Sequence, residues 1–350
     1  MRLLITGGCG FIGSNFVRYV LKARSEWEVI AFDLLTYSGN LGNVTDLVQC
    51  PRFSFFKGDI ADRDAVATAA AEADAIVNFA AESHVDRSIL EATPFVRTNI
   101  MGTQVLLEAA RTLHIRRFLQ ISTDEVYGSL GPTGRFREGR ALTPNSPYSA
   151  SKAAADLLVR AYVQTHALPA IVVRSSNAYG PYQFPEKLIP LVITNASQGK
   201  PLPVYGDGLH VRDWVHVVDL CEAVLLVLER GRTGDVYNVG GGNERTNLDV
   251  VHAIAELTGT SKSLIRFVQD RPGHDRRYAM DFRKLQTELG WRPRRAFEDG
   301  LRETVAWYAR QRAWVESVAS GEYRTYYEQQ YSARLASATL TPQTSLATAT

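Results

Sequence analysis

The stretch RLLITGGCGFIGSNFVRYVLKA, residues 2–23, decides the fold. RLLIT (2–6) is a short apolar run and reads as a buried strand, while FIGSNFVRYVLKA (11–23) has apolar residues at helical spacing. Between them stand Gly7, Gly10 and Gly13. Glycines allow the tight turn from strand to helix, and they let the backbone approach a pyrophosphate at the helix N-terminus. A glycine triplet alone is a weak signal. Here it has a strand before it, a helix after it and an acid at the end of the next strand, EVIAFD (28–33). That acid, Asp33, can accept hydrogen bonds from an adenosine ribose and would repel a 2′-phosphate. Leu34 and Leu35 supply no compensating cation, so NAD is expected rather than NADP.

Outward from this unit, strands and helices alternate. FSFFKGDI (53–60), ADAIVNFAA (73–81), RRFLQIS (116–122) and PAIVVRSS (169–176) read as strands. PFVRTNIMGTQVLLEAART (94–112) and SPYSASKAAADLLVRAY (146–162) read as helices, the second with Ser146 as N-cap and Pro147 at its first position. This order predicts an α/β fold, a doubly wound, Rossmann-like parallel sheet whose ligands bind beyond the carboxyl ends of the strands. After residue 177 the segments shorten, with breaks at FPEKLIP, GKPLPVYGDG and GGGNERTN. The expected division is an NAD-binding part over 1–176, to which later segments can return, and a smaller, irregular α/β substrate-binding part over 177–331. Residues 332–350, biased toward Ser, Thr and Ala, are expected to form an unpacked tail. Asp59 and Ile60 end the third strand and suit an adenine cap, although Asp59 also suits a helix N-cap.

Composition narrows the class. The 350 residues carry a formal net charge of +2, too small to suggest nucleic-acid or membrane-surface binding. Cys9, Cys50 and Cys221 are odd in number, scattered and without metal-ligand spacing, which fits a reducing cytoplasm, no disulfide framework and no metal. No apolar run reaches membrane-spanning length, and no signal peptide is read.

Two constellations carry chemistry. Tyr148 and Lys152 are four residues apart on one helix, so they share a face. A lysine cation would favour the phenolate, which can take a proton from a sugar hydroxyl while a hydride leaves for NAD. STDEVYG (122–128) ends a buried strand in adjacent acids, Asp124 and Glu125. Like charges this close are costly in a dry site, and a catalytic reaction that uses one acid and one base would explain both. His84 and His216 have no neighbours at ligand spacing and are expected to be structural.

With TGGCGFIGS, DLLTYSGN, GDI, AAESHVDRS, TNIMGT, STDEVYG, PYSASKA, PYQFPEKLIP, YGDGLHVRDWVHV and DRPGHDRRY together, the chain resembles the extended short-chain dehydrogenase/reductase family, and within it the dTDP-glucose 4,6-dehydratases, from Arg2 to about Tyr308. The resemblance implies cofactor contacts from Gly7, Gly10, Phe11, Ile12, Gly13, Asp33, Leu34, Leu35, Thr36, Asp59, Ile60, Phe79, Ala80, Ala81, Thr98, Tyr148 and Lys152. It implies sugar contacts from Ser83, Thr123, Asn177 and Glu186. Lys187, Leu188, Arg212, Asn247, Arg271 and His274 resemble contacts to the diphosphate and nucleoside, and Pro203, Val204 and Tyr205 the wall beside the base. Arg and Lys suit a diphosphate because they offer charge and donors together. One departure is visible: family members usually carry a second Asn, toward the nicotinamide, where this chain has Ala178.

The resemblance also gives the two acids their roles. Oxidation of C4 to a ketone makes C5 an α-carbon whose anion is stabilised. Elimination of water then needs a base for C5–H, Glu125, and an acid for the C6 hydroxyl, Asp124, while Thr123 holds the C4 oxygen near Tyr148. The expected product is a 4-keto-6-deoxy sugar nucleotide. A UDP-sugar 4,6-dehydratase is an alternative that these residues do not separate; a 4-epimerase or a decarboxylase on the same fold needs no acid for a leaving hydroxyl, and a non-catalytic NAD sensor needs neither Tyr148 nor Lys152. A homodimer is expected through helices 94–112 and 146–162, with Phe95, Ile100, Leu107, Leu157 and Tyr162 at their outer faces.

Overall fold

The computed structural model describes residues 1–319 and 322–342. Seven strands form one parallel sheet: β1 (Arg2–Thr6), β2 (Glu28–Asp33), β3 (Phe53–Lys57), β4 (Ala75–Asn78), β5 (Arg117–Thr123), β6 (Ala170–Ser175) and β10 (Val236–Val239). Their order is β10-β6-β5-β4-β1-β2-β3. β1, β4 and β6 are buried almost throughout, as a parallel sheet covered on both faces requires. One face packs on helices Phe11–Ala23 and Val217–Arg230 through Phe16, Val20, Leu220 and Val224. The other packs on Arg63–Ala70, Thr103–Thr112 and Pro147–His166 through Val66, Leu106, Leu107 and Val159. The chain thus returns to the first sheet after residue 177 with a strand and a helix.

Five further strands complete the smaller part. β7 (Asn177–Tyr179), β9 (Val211–His216) and β11 (Glu244–Thr246) form a three-stranded sheet, and β8 (Leu202–Tyr205) pairs with β12 (Ile265–Val268). Their core joins helices Leu188–Ser197, Asn247–Thr258 and Phe297–Arg310 through Val192, Val250, Ile254 and Leu301.

Local chemistry explains the helix that matters most. Ser146 caps Pro147–His166 by accepting from Ser149 N, Ser149 Oγ accepts from Ser146 N in return, and Pro147 stands in the first turn. The helix read over 94–112 is interrupted: Thr93–Phe95 passes through a π-helical stretch, Val96–Gly102, into Thr103–Thr112. Asn99 in that stretch binds Glu82 N at 2.9 Å, Glu82 O at 3.0 Å and Ser151 Oγ at 2.8 Å. It ties the loop after β4 to the helix bearing Tyr148.

Three expectations need correction. Of the residues expected on the outer face, Leu157 is exposed, Ile100 and Tyr162 are half-buried, and Phe95 and Leu107 are buried within the chain, so Val96 and Met101 take their place. The tail does not begin at Ser332, because helix Glu322–Ala336 runs through it and Thr339 bridges to Phe267; positions 343–350 lie outside the described residues. Asp59 is not the N-cap: Asp62 caps Arg63–Ala70 by accepting from Asp64 N and Ala65 N, while Asp59 accepts from Ala61 N and pairs with Arg97.

Candidate active site

A cleft opens at the carboxyl ends of β1 to β5. Of the residues expected to touch the cofactor, all except Leu35 line it. Leu35 is turned aside in a left-handed conformation (φ 60°), and its N–H donates to Asp33 Oδ1 at 2.8 Å. Cys9 N donates to Asp33 Oδ2 at 2.9 Å, so Asp33 ties the glycine turn to its own loop. Burial pushes the Asp33 carboxyl up, and the two amides oppose that shift. Gly7 has φ +65°, and a Cβ there would lie 2.7 Å from Ala80 N. A Cβ on Gly13 would lie 2.0 Å from Gly7 O. No side chain caps the N-terminus of Phe11–Ala23, which leaves its first amides for an anion. The turn therefore fits a dinucleotide.

β5 delivers the two acids. It ends at Thr123, and Asp124–Tyr127 forms one 3-10 turn. Thr123 Oγ1 accepts from Glu125 N at 3.3 Å and donates to Asp124 Oδ1 at 3.2 Å. Asp124 is 1% exposed, and its Oδ2 has no hydrogen-bond partner. Burial, and then the charge of Glu125, hold the Asp124 carboxyl well above the usual carboxylate range. Burial also raises Glu125, against the cations Arg271, Lys187 and Arg212. Both carboxyls are thus raised, Asp124 well above the usual range and with Glu125 adding to its shift, while three cations oppose the rise of Glu125. Glu125 lines the second part of the cleft, whereas Thr123 and Asp124 sit behind both linings.

Tyr148 and Lys152 both line the first part, but the charge relation read from their spacing is not what the fold gives. Burial raises the Tyr148 hydroxyl above its ordinary value, with Glu125 and Asp124 adding to the shift and Thr123 opposing it. Lys152 Nζ donates to Ile121 O at 2.6 Å, and burial lowers its ammonium to about 8. Spacing along a helix reports a neighbouring charge but not the loss of water around both groups.

The second part of the cleft is lined by Asn177, Glu186, Lys187, Leu188, Pro203, Val204, Tyr205, Arg212, Asn247, Arg271 and His274, while Ser83 faces the first part. Lys187 Nζ donates to Ser83 O at 2.6 Å, joining the two. Arg212 Nη2 donates to Asp275 O at 2.9 Å, and Arg271 Nη1 faces Asp86 Oδ1 at 3.4 Å. Arg271 Nε, Asn177 Oδ1 and Asn247 Oδ1 are buried with no partner. The unspent Arg271 Nε donor among buried cations suits a diphosphate, and the two asparagine Oδ1 acceptors suit hydroxyl or N–H donors elsewhere on a ligand.

His274 Nδ1 meets Asp270 Oδ1 at 2.6 Å, His210 Nε2 meets Asp270 Oδ2 at 3.3 Å, and the two rings stack 3.6 Å apart. With the rings nearly parallel, at 11°, no single ion lies in both imidazole planes, so the trio is built for hydrogen bonding. His84 bonds Glu186 O at 3.3 Å, and His216 caps Val217–Arg230. Sequence reasoning missed Gln183, which borders both parts of the cleft, and Tyr278, over whose ring Arg212 lies at 4.2 Å. Both fall inside the quoted motifs, but neither residue type signals a role by itself. Gln183 Nε2 donates to Ala178 O at 3.0 Å, beside the departing position.

Comparison with known proteins agrees with this geometry. A family model described as GDP-mannose 4,6 dehydratase matches residues 4–304. The dTDP-glucose 4,6-dehydratase of Streptomyces niveus is 53% identical over 93% of this chain and 98% of its own. The dTDP-glucose 4,6-dehydratase of Streptomyces venezuelae, solved with NAD bound, is 49% identical, with a TM-score of 0.89 over 91% of this chain and 100% of that one. The UDP-glucose 4-epimerase of Thermus thermophilus, solved with NAD, is 33% identical, with a TM-score of 0.82 over 88% of this chain and 99% of that one. The fold is thus shared by dehydratases and epimerases, but identity near one half over almost the full length is found with the former, and the chain belongs to the dTDP-glucose 4,6-dehydratase family.

Proposed function

We propose that this protein is an NAD-dependent lyase that converts dTDP-glucose to dTDP-4-keto-6-deoxyglucose. The observation that carries the reading is the pair at the end of β5, a buried Asp124 whose carboxyl is pushed up beside a Glu125 faced by three cations. NAD, when bound, supplies the hydride acceptor and donor. The residues of the chain do the rest. Thr123 and Tyr148 hold the C4 oxygen, and Tyr148 takes its proton. Lys152, beside it on the helix with its Nζ on Ile121 O, faces the same part of the cleft and is placed to hold the cofactor next to Tyr148. Glu125 takes the C5 proton, Asp124 gives its proton to the C6 hydroxyl, which leaves as water, and the 4-keto group carries the charge between the two events; C6 would then receive the hydride back from the reduced cofactor and C5 the proton from Glu125. Arg212, Arg271, Lys187 and His274 bind the diphosphate and nucleoside, with Pro203, Val204 and Tyr205 beside the base. Glu186, Asn177 and Ser83 orient the sugar.

The same proposal divides the chain into a cofactor part, completed by β10, and a substrate part. It places the protein in the cytoplasm as a homodimer. Three free cysteines and the exposed Val96, Met101 and Leu157 on adjacent helices support this. No described helix is long and apolar enough to cross a membrane. An epimerase needs no acid at C6, so Asp124 weighs against that alternative. Incubation with dTDP-glucose and UDP-glucose in parallel tests the assignment: the alkaline absorbance of a 4-keto sugar should develop with the first. A 4-epimer formed without it would overturn the reading.

A further inference from the structure

We propose that Arg174 is a positioning residue that holds the helix bearing Tyr148 and Lys152 in register with the turn bearing Asp124 and Glu125. The inference rests on the dehydratase roles given to those four residues. β6 runs beside β5, with Arg174 opposite Ser122 and Ser175 opposite Thr123. Arg174 Nε donates to Asp156 Oδ2 at 2.8 Å. Asp156 lies on helix Pro147–His166, about one turn beyond Lys152 and two beyond Tyr148. From the same guanidinium, Nη1 donates to Tyr127 Oη at 2.8 Å, and Tyr127 closes the turn that begins at Asp124. Tyr127 Oη donates in turn to Asn238 Oδ1 at 2.8 Å, which anchors the group on β10.

All four side chains are buried, at 5% for Arg174, 3% for Asp156 and 0% for Tyr127 and Asn238, and none lines the cleft. A buried ion pair is a poor source of stability, because desolvation offsets much of its attraction. Its distinctive contribution is direction: a planar guanidinium fixes the angle between two partners in a way an apolar contact or an ammonium does not. Here the partners are the two elements that must converge on neighbouring carbons of one sugar. Tyr148 acts at C4, Glu125 at C5 and Asp124 at C6, so a slip of the helix along the strand end separates oxidation from elimination.

Tyr127→Phe and Arg174→Lys test this in the full chain with its retained cofactor. Tyr127→Phe removes one arm and leaves the ion pair intact. Arg174→Lys keeps a cation for Asp156 but offers no fork. Both should lower kcat on the order of 10–100-fold with little change in KM or in dTDP affinity by calorimetry. The reduced-nicotinamide absorbance after mixing with dTDP-glucose should persist longer than in the wild type, and C5 exchange in deuterated water should lag behind it. A purely structural role would lower the melting temperature and leave that step ratio unchanged at temperatures where circular dichroism shows the variant folded. Wild-type kcat and step ratio in folded Tyr127→Phe and Arg174→Lys would overturn the proposal. The wild type, run in parallel with dTDP-glucose, separates the two ideas: if it forms no 4-keto sugar, the dehydratase assignment fails, whatever Arg174 does.

Discussion

Thr123 donates its hydroxyl to Asp124 Oδ1 at 3.2 Å, while the other Asp124 oxygen is buried without a partner. A neutral carboxyl is the form that suits this setting, because it can turn its own proton outward to a leaving hydroxyl. Asp124→Asn should therefore oxidise C4 and exchange C5 but expel the C6 hydroxyl about 10²–10⁴-fold more slowly. Glu125→Gln should oxidise C4 and show little C5 exchange into deuterated water. C5 exchange at the wild-type rate in Glu125→Gln would refute its role as base.

Tyr148→Phe removes the proton acceptor for C4 and nothing else from the cleft lining. It should abolish reduction of the cofactor by dTDP-glucose while dTDP-glucose binding survives. Stopped-flow absorbance and calorimetry on one preparation check both halves of the statement.

The proton positions of the two acids predict a bell-shaped dependence of kcat/KM on pH. Activity should rise as Glu125 ionises and fall as Asp124 does. Asp124→Asn should lose the alkaline fall. Stability follows with a definite sign. The folded-state value of Asp124 lies above its unfolded value, so its contribution is present at low pH and is lost as pH rises from the unfolded value through the folded one. The ligand-free Asp124→Asn protein should therefore melt higher than the wild type at neutral pH, which differential scanning calorimetry measures.

Asp33 should set the choice of cofactor. Leu34 beside it is 41% exposed and lines the cleft. Asp33→Ala combined with Leu34→Arg removes the repulsion and adds a phosphate partner, so NADP binding should appear. NAD binding should weaken, because Cys9 N and Leu35 N lose their shared acceptor. A wild type that already binds NADP as tightly as NAD would contradict this role.

Leu157, 57% exposed on helix Pro147–His166, stands with Val96 and Met101 on the surface assigned to the dimer. Leu157→Glu should shift the protein from dimer to monomer in sedimentation velocity at micromolar concentration without loss of the folded circular-dichroism spectrum. A wild-type monomer under the same conditions would count against the dimer.

The sequence by itself determined the sheet and the place of the chemistry. β1, helix Phe11–Ala23 and β2 have the boundaries read from periodicity, because burial of both sheet faces imposes continuous apolar strands and one face imposes helical spacing. The glycine turn, Asp33, the two acids and the Tyr148–Lys152 face were legible because each is local, set by neighbours within a few residues. Tertiary structure decided what depends on distant residues. β10 joins the sheet beside β6 from more than sixty positions away. Burial raises the Tyr148 hydroxyl where spacing alone pointed the other way. The Arg174 link between Asp156 and Tyr127 draws on three segments that no local pattern connects. Desolvation and long-range hydrogen bonding are properties of the assembled interior, and a linear pattern carries neither.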